Sequence, residues 1–131
     1  MPNNEVFTPI EYIKSLDDKF KNINGPVLDP CCGHGVWLKY AQQKGFDVYG
    51  CDISEDNCRA TIKNLYGDGE IKTLGQAEIP EIMKGPGLIN VFSWNNQLIE
   101  NIVQADSLIY SMNFNKTKTP ISFGNNLFTI D

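Results

Sequence analysis

The residues best suited to chemistry lie in one glycine-rich turn, Asp29-Pro30-Cys31-Cys32-Gly33-His34-Gly35. A short apolar run, Val27-Leu28, precedes this turn, and a segment with helical periodicity follows it from Val36. Glycines permit positive φ and close approach of the backbone, so the turn can present amide groups and a helix N-terminus to a carboxylate or a phosphate. The pattern predicts a cradle for a small molecule.

A second candidate is the carboxylate of Asp52, which follows the next apolar run in Gly50-Cys51-Asp52-Ile53-Ser54. A carboxylate at the tip of a strand can accept two hydrogen bonds from the hydroxyls of a ribose. Because the carboxyl ends of neighbouring parallel strands meet at one edge of a sheet, we expect Asp29 and Asp52 to face the same ligand. The pair predicts a cofactor that carries a nucleoside.

The segments around these residues alternate between short apolar runs and helix-like stretches, which predicts an α/β fold with a doubly wound, mostly parallel sheet. The chain is expected to end in an antiparallel hairpin, because two apolar runs within 120–130 flank Gly124-Asn125-Asn126. Strands are expected at 27–29, 47–51, 71–74, 88–94 and 107–112, and helices at 9–20, 36–44, 54–67, 78–84 and 95–104.

The composition is that of one globular domain, 1–131, with 41% hydrophobic and 21% charged residues. The net charge is −5 and Arg59 is the one arginine, which argues against autonomous DNA binding. No apolar run reaches the roughly 18 residues of a membrane span, so we expect a cytoplasmic protein without a membrane partner. The cysteines form no CxxC pair and His34 is the single histidine, so we expect neither a metal site nor a disulfide.

The turn at 29–35 resembles the first motif of the S-adenosylmethionine-dependent class I methyltransferases, commonly Asp-Pro-Ala-Cys-Gly-Ser-Gly, with five of seven positions in agreement. Within that class it is most similar to the DNA amino-methyltransferases of the adenine-N6 type. Val6-Phe7-Thr8-Pro9 stands where this family often has a Phe-x-Thr-Pro element. The resemblance covers roughly residues 6–112 and implies a Rossmann-like domain that binds S-adenosylmethionine.

The resemblance also implies which residues contact each part of the cofactor. Those implied for the methionine half are Phe7, Thr8, Pro9 and Asp29, the last facing the amino group, with Cys31, Gly33 and Gly35 lining the loop. Those implied for the nucleoside half are Asp52 on the ribose hydroxyls, Ile53 on one face of the adenine, and Gln76 at the adenine amino group, where the family usually has an acidic residue.

The catalytic motif of this family, Asn/Asp-Pro-Pro-aromatic, clamps a flipped base and accepts a hydrogen bond from its amino group. The chain has Ser93-Trp94-Asn95-Asn96 after the fourth predicted strand, without the proline pair. Asn95 is the candidate acceptor and Trp94 a candidate stacking ring, with helix capping as the other explanation of Asn95.

Two functions follow from these residues. The first is an S-adenosylmethionine-dependent methyltransferase similar to the DNA adenine-N6 enzymes, with an altered catalytic motif. Because the chain is acidic, it would need a partner chain to recognise DNA, or a small substrate in place of DNA. The second is a catalytically silent subunit or regulator that binds the cofactor. No residue argues specifically for an enzyme that cleaves the cofactor.

Overall fold

The structure, a computed structural model, describes residues 26–74, 88–111 and 121–122. The helices predicted at 9–20 and 78–84 lie outside these ranges. A helical turn at 107–111 follows the fifth strand. The other elements are β1 (Val27–Asp29), α1 (Val36–Gln43), β2 (Val48–Asp52), α2 (Glu55–Tyr66), β3 (Ile71–Thr73), β4 (Leu88–Trp94), β5 (Gln97–Ala105) and β6 (Ile121–Ser122).

The strands form one mixed sheet in the order β3-β4-β5-β2-β1-β6. β2 pairs in parallel with β1 on one side and with β5 on the other, and β1 also pairs in parallel with β6. β3, β4 and β5 form an antiparallel meander. The predicted α/β class is confirmed, but the sheet is less parallel than the sequence suggested.

Both helices begin and end at residues that the sequence marks. α1 follows Gly35, whose backbone is left-handed, and the next turn ends at Gly45, also with positive φ. The hydroxyl of Ser54 accepts a hydrogen bond of 3.2 Å from the amide of Asn57, which caps α2. α2 then runs to Tyr66, as predicted, and Gly67 follows it with φ 98°.

Apolar side chains on the two faces of the sheet fix the strands that carry the candidate site. Gly50 faces α1, because a Cβ built on it would lie 2.6 Å from Leu38 Cδ1. Cys51, the next residue of β2, belongs to a separate buried cluster with Val91 and Val103, as the alternation of a strand requires. The main core lies on the helix side and includes Leu38, Ala41, Cys58, Ile62, Phe92 and Ile102.

The region after β4 departs from the prediction. The expected helix at 95–104 is wrong, because β5 occupies Gln97–Ala105 and pairs with β4. Asn95 and Asn96 have φ of 49° and 65°, the left-handed values that a two-residue hairpin turn requires of both central residues. The strand expected at 107–112 is also wrong, since 107–111 is helical.

The predicted C-terminal hairpin lies almost entirely outside the described residues. Of its two arms, only Ile121–Ser122 is described, as β6 beside β1. Within the described ranges, no helix is both long enough and apolar enough to cross a membrane.

Candidate functional site

Asp29 and Asp52 lie at the same edge of the sheet. Asp29 is the last residue of β1 and is paired with Gly50, and Asp52 is the last residue of β2 and is paired with Gln104 of β5. Parallel pairing therefore brings the carboxyl ends of three neighbouring strands together, at the edge where α/β proteins bind ligands. The sequence predicted this juxtaposition for the two carboxylates.

The glycine turn after β1 is held by backbone bonds and by α2. The amide of Cys32 donates to the carbonyl of Cys51 at 2.9 Å, and the amide of Gly35 donates to the carbonyl of Cys32 at 2.8 Å. The hydroxyl of Thr61 donates to the carbonyl of Gly33 at 2.8 Å. A Cβ at Gly35 would lie 2.8 Å from Thr61 Cγ2, and its φ of +83° also favours glycine. The turn is therefore a fixed backbone surface that depends on glycine.

The carboxylate of Asp52 joins the two loops of the site. Its Oδ2 accepts a hydrogen bond of 3.0 Å from the amide of Gly33, and its Oδ1 accepts one of 2.9 Å from the amide of Ser54. A carboxylate has about four acceptor positions, so these two amides leave capacity for a pair of hydroxyls. The geometry fits a carboxylate that is oriented by the protein and can still bind a diol.

Asp29 is a buried acid, with 2% of its surface exposed. The pKa of Asp29 is raised from 3.8 to about 7, chiefly by burial; the amide of Cys31, which donates to Oδ1 at 3.2 Å, opposes the rise, and the negative charge of Asp52 adds to it. A buried carboxylate next to a second one is stabilised by a cation. The site is thus complementary to an ammonium group near Asp29.

The three buried thiols around the turn serve as structural groups. Cys32, Cys51 and Cys58 are buried, while Cys31 is exposed. Burial raises the pKa of Cys58 to about 12 and raises the pKa of Cys32 and of Cys51 well above the ordinary range, so all three are protonated at neutral pH. The thiol of Cys51 lies 3.0 Å from the carbonyl of Pro30, which ties β2 to the turn. Among the described residues, no group of three potential ligands could hold a metal ion.

The end of β5 contributes residues that the sequence analysis missed. The side-chain Nε2 of Gln104 donates to the carbonyl of Ile53 at 3.0 Å, and Ile53 is 62% exposed at this edge. Asp106 follows β5 and accepts a hydrogen bond of 3.0 Å from the amide of Ile109, which begins the helical turn. The sequence signal for β5 is the Asn95-Asn96 pair, which is compatible with a hairpin turn as well as with a helix start.

Several predicted contacts cannot be placed in the site. Phe7, Thr8, Pro9 and Gln76 lie outside the described residues. The strand that precedes Gln76 is β3, which β4 and β5 separate from β2. The neighbour of β2 on that side is therefore β5, whereas the resemblance implies an adenine contact from Gln76, which follows β3.

Asn95, the predicted acceptor, lies at the edge of the sheet opposite Asp29 and Asp52. Its turn precedes β5, and seven residue steps of that strand, about 20 Å, separate Gln97 from Gln104. Asn95 instead binds Glu70, accepting from its amide at 2.9 Å and donating to its carbonyl at 2.8 Å. Trp94, the predicted stacking residue, lies beside Tyr66 with 6.0 Å between ring centroids. Both residues make local contacts at that edge of the sheet.

Taken together, the mixed sheet, the glycine turn after β1 and the carboxylate ending β2 define an α/β domain whose candidate site lies at the carboxyl ends of β1 and β2. A family model for the methyltransferase domain matches residues 9–111, and the chain belongs to this family of class I S-adenosylmethionine-dependent methyltransferase domains. Domains of this class generally use S-adenosylmethionine. No curated protein and no solved structure matches the chain significantly.

Proposed function

We propose that this chain binds S-adenosylmethionine at the carboxyl ends of β1 and β2 and transfers its methyl group to an amino nitrogen. The observation that carries the proposal is the convergence of the buried Asp29, the glycine turn and Asp52 at one sheet edge. The sulfonium of the cofactor supplies an activated methyl group when it is bound. The protein would contribute positioning and exclusion of water rather than covalent chemistry.

Each charged group of the site has a natural partner in this cofactor. Asp52, oriented by the amides of Gly33 and Ser54, would accept hydrogen bonds from both ribose hydroxyls. Asp29 would accept the ammonium of the methionine moiety, because a cation relieves the cost of ionising a buried carboxylate. The turn residues Cys31, Gly33 and Gly35 would lie along the methionine, with Phe7, Thr8 and Pro9 covering it as the motif resemblance implies.

The adenine end of the site has two rival acceptors for the exocyclic amino group. Ile53 is exposed beside Asp52 and is proposed to cover one ring face. The resemblance assigns the amino group to Gln76, while Asp106 stands at the end of β5, the strand that pairs directly with β2. This adjacency favours Asp106, since the adenine must lie close to the ribose that Asp52 holds.

The acceptor class rests on the motif resemblance to amino-methyltransferases, of which DNA adenine N6 is the specific case to test. Asn95 is not carried into this proposal, because it lies at the other sheet edge and is bonded to Glu70. With a net charge of −5, the chain would recognise DNA through a partner chain or act on a small amine. The position of Asn95 favours a second candidate, a subunit that binds the cofactor without transferring its methyl group.

Two measurements on the full chain separate these candidates. Isothermal titration calorimetry with S-adenosylmethionine and with S-adenosylhomocysteine tests the site, and saturable binding of both is expected. A transfer assay with a radiolabelled methyl group then compares DNA, RNA and small amines as acceptors. Label on DNA adenine N6 supports the specific case and label on a small amine supports the broader one, whereas binding without transfer supports the silent subunit. Absence of binding at millimolar cofactor contradicts both candidates.

A further inference from the structure

A cavity of about 450 Å³ opens at the sheet edge opposite Asp29 and Asp52. We call it the amino-edge cleft, because it lies where β2 and β5 begin. Its volume is within the range of small-molecule sites. The lining residues that the argument uses are Asp47, Tyr66, Trp94, Leu98, Glu100 and Asn101.

The aromatic wall of the cleft is fixed by hydrogen bonds. The Tyr66 hydroxyl donates to Asn101 Oδ1 at 2.8 Å, and Asn101 Nδ2 donates to the carbonyl of Val48 at 2.9 Å. The indole N–H of Trp94 donates to the carbonyl of Gly67 at 3.1 Å. The polar atoms of both aromatic residues are therefore bonded within the protein, and the rings are held in place before any ligand arrives.

A bulge in β5 brings polar residues to this wall. Phe92 of β4 pairs with Ile99 of β5, and Asn90 pairs with Gln104. Between these two pairs β5 therefore has more residues than β4. Glu100 and Asn101 lie in this bulge and line the cleft. Bulges of this kind re-aim side chains and are common beside functional sites.

The charge of the cleft is negative. Asp47 and Glu100 line it, and the described lining residues include no lysine, arginine or histidine. The ion pairs of the described ranges are Arg59–Glu55, Lys63–Asp68 and Lys72–Glu70, and none of them neutralises either carboxylate. Carboxylates and the faces of aromatic rings both attract cations. The cleft is therefore complementary to a positively charged group.

We propose that the amino-edge cleft binds a small organic amine as its cation. The ammonium group lies between Asp47 and Glu100, and the apolar part of the amine contacts Tyr66, Trp94 and Leu98. This site is separate from the proposed cofactor site, because the length of β5 lies between them. Its occupancy therefore does not depend on whether the chain transfers a methyl group.

The test uses phenethylamine as the probe and its neutral N-acetyl derivative as the matched control, each titrated into the full ¹⁵N-labelled chain. The chain has two tryptophans, so each indole N–H signal can be assigned with Trp37→Phe. Saturable movement of the Trp94 signal by the amine at millimolar concentration, with none by the acetylated form, is expected. Equal movement by both compounds, or no movement of the Trp94 signal, overturns the proposal.

Charge variants locate the ammonium group. Asp47→Asn and Glu100→Gln each remove one exposed carboxylate from the cleft, and each is expected to weaken binding roughly two- to fivefold. Asp56→Asn removes the same charge from the exposed face of α2 and is expected to leave the affinity unchanged. An equal loss in all three variants means that the amine responds only to net charge and overturns the proposal. Loss of binding in Asp52→Asn, with the cleft variants unchanged, places the amine in the cofactor site and overturns it as well.

Discussion

The backbone amide of Gly33 donates a hydrogen bond of 3.0 Å to Oδ2 of Asp52. This bond joins the turn that follows β1 to the residue that ends β2, two positions far apart in the sequence. Thr61 of α2 binds the carbonyl of the same glycine at 2.8 Å. The turn, the carboxylate and the helix therefore form one unit, and a change in any of the three should alter the geometry of the site.

Replacing Asp52 by asparagine should weaken the binding of S-adenosylmethionine. The variant keeps the shape of the side chain but loses charge-assisted hydrogen bonds, which are worth roughly 1–3 kcal/mol, or about 5- to 150-fold in the dissociation constant. Calorimetry measures the change. Asp56→Asn, an exposed acid in the first turn of α2, is the matched control and should bind as the parent chain does. Equal affinity in all three proteins would remove the ribose assignment.

Asp29 should make the folded state less stable as the pH rises. Its pKa is raised from 3.8 to about 7, chiefly by burial, so the unfolded chain releases this proton before the folded chain does. The contribution of Asp29 to the free energy of unfolding is therefore complete below about pH 4 and decreases by up to about 1.4 kcal/mol per pH unit until about pH 7. Above that pH both states are ionised and the contribution stays constant.

Urea denaturation of the parent chain and of Asp29→Asn across pH 4 to 8 checks this dependence. The asparagine side chain does not ionise, so the stability of the variant relative to the parent should rise between about pH 4 and 7 and then level off. A constant difference over the whole range contradicts the raised pKa.

Gly35→Ala should destabilise the fold more than Gly45→Ala. Both glycines have positive φ, of 83° and 93°, but an added Cβ meets Thr61 Cγ2 at 2.8 Å in the first case and nothing within 4 Å in the second. The backbone penalty of about 1–2 kcal/mol is shared, and crowding adds about 1–3 kcal/mol at Gly35. Chemical denaturation measures both variants. Equal losses would mean that Thr61 does not pack against the turn as described.

Arg59 should contribute more to stability than its exposure suggests. Its guanidinium donates to Glu55, to the carbonyl of Ile71 and to the Thr73 hydroxyl, each at 2.9 Å, and so links α2 to β3. Arg59→Lys keeps the charge but cannot reproduce this fork, so a loss of about 1–2 kcal/mol in the free energy of unfolding is expected. Lys63→Ala, which removes a pair whose side chains are largely exposed, should cost less than about 1 kcal/mol. A larger loss in Lys63→Ala would reverse this ranking.

Asn95 should matter for the hairpin and not for the cofactor. Asn95→Ala places an unfavourable residue at φ 49° and removes the acceptor of the Glu70 amide, so a loss of about 1–2 kcal/mol is expected. Asn95→Gly tolerates the backbone and should lose less. Calorimetry with S-adenosylmethionine should give the parent dissociation constant for both variants. A large loss of cofactor affinity in Asn95→Gly would show that the turn acts on the site.

The part of the site carried by short local patterns could be predicted from the sequence. The apolar run ending at Asp29, the glycines after it and the Ser54 cap each specify their conformation within a few residues. The position of Asp29 next to Asp52 then follows, because consecutive βα units place their strands side by side in parallel. This is why the juxtaposition of the two carboxylates was anticipated.

The region from 88 to 111 could not be predicted in the same way, because the Asn95-Asn96 pair fits both a helix start and a hairpin turn. Local preference does not decide between these conformations, while the pairing of β4 with β5 and of β5 with β2 does. Because β5 is a strand, Asn95 lies at the far edge of the sheet and Asp106 lies at the edge that holds Asp52. The unexpected position of Asn95 and the missed candidate at the adenine end thus have one common cause.

The most direct test of the cofactor site is a titration of S-adenosylmethionine into the ¹⁵N-labelled full chain, followed by backbone amide signals. The amides of Gly33, Gly35 and Ser54 should shift together and saturate at one common dissociation constant, while those of Asn96 and Gln97 at the far edge stay in place. Signals that do not move at millimolar cofactor, or that move only around Asn96 and Gln97, would contradict the account.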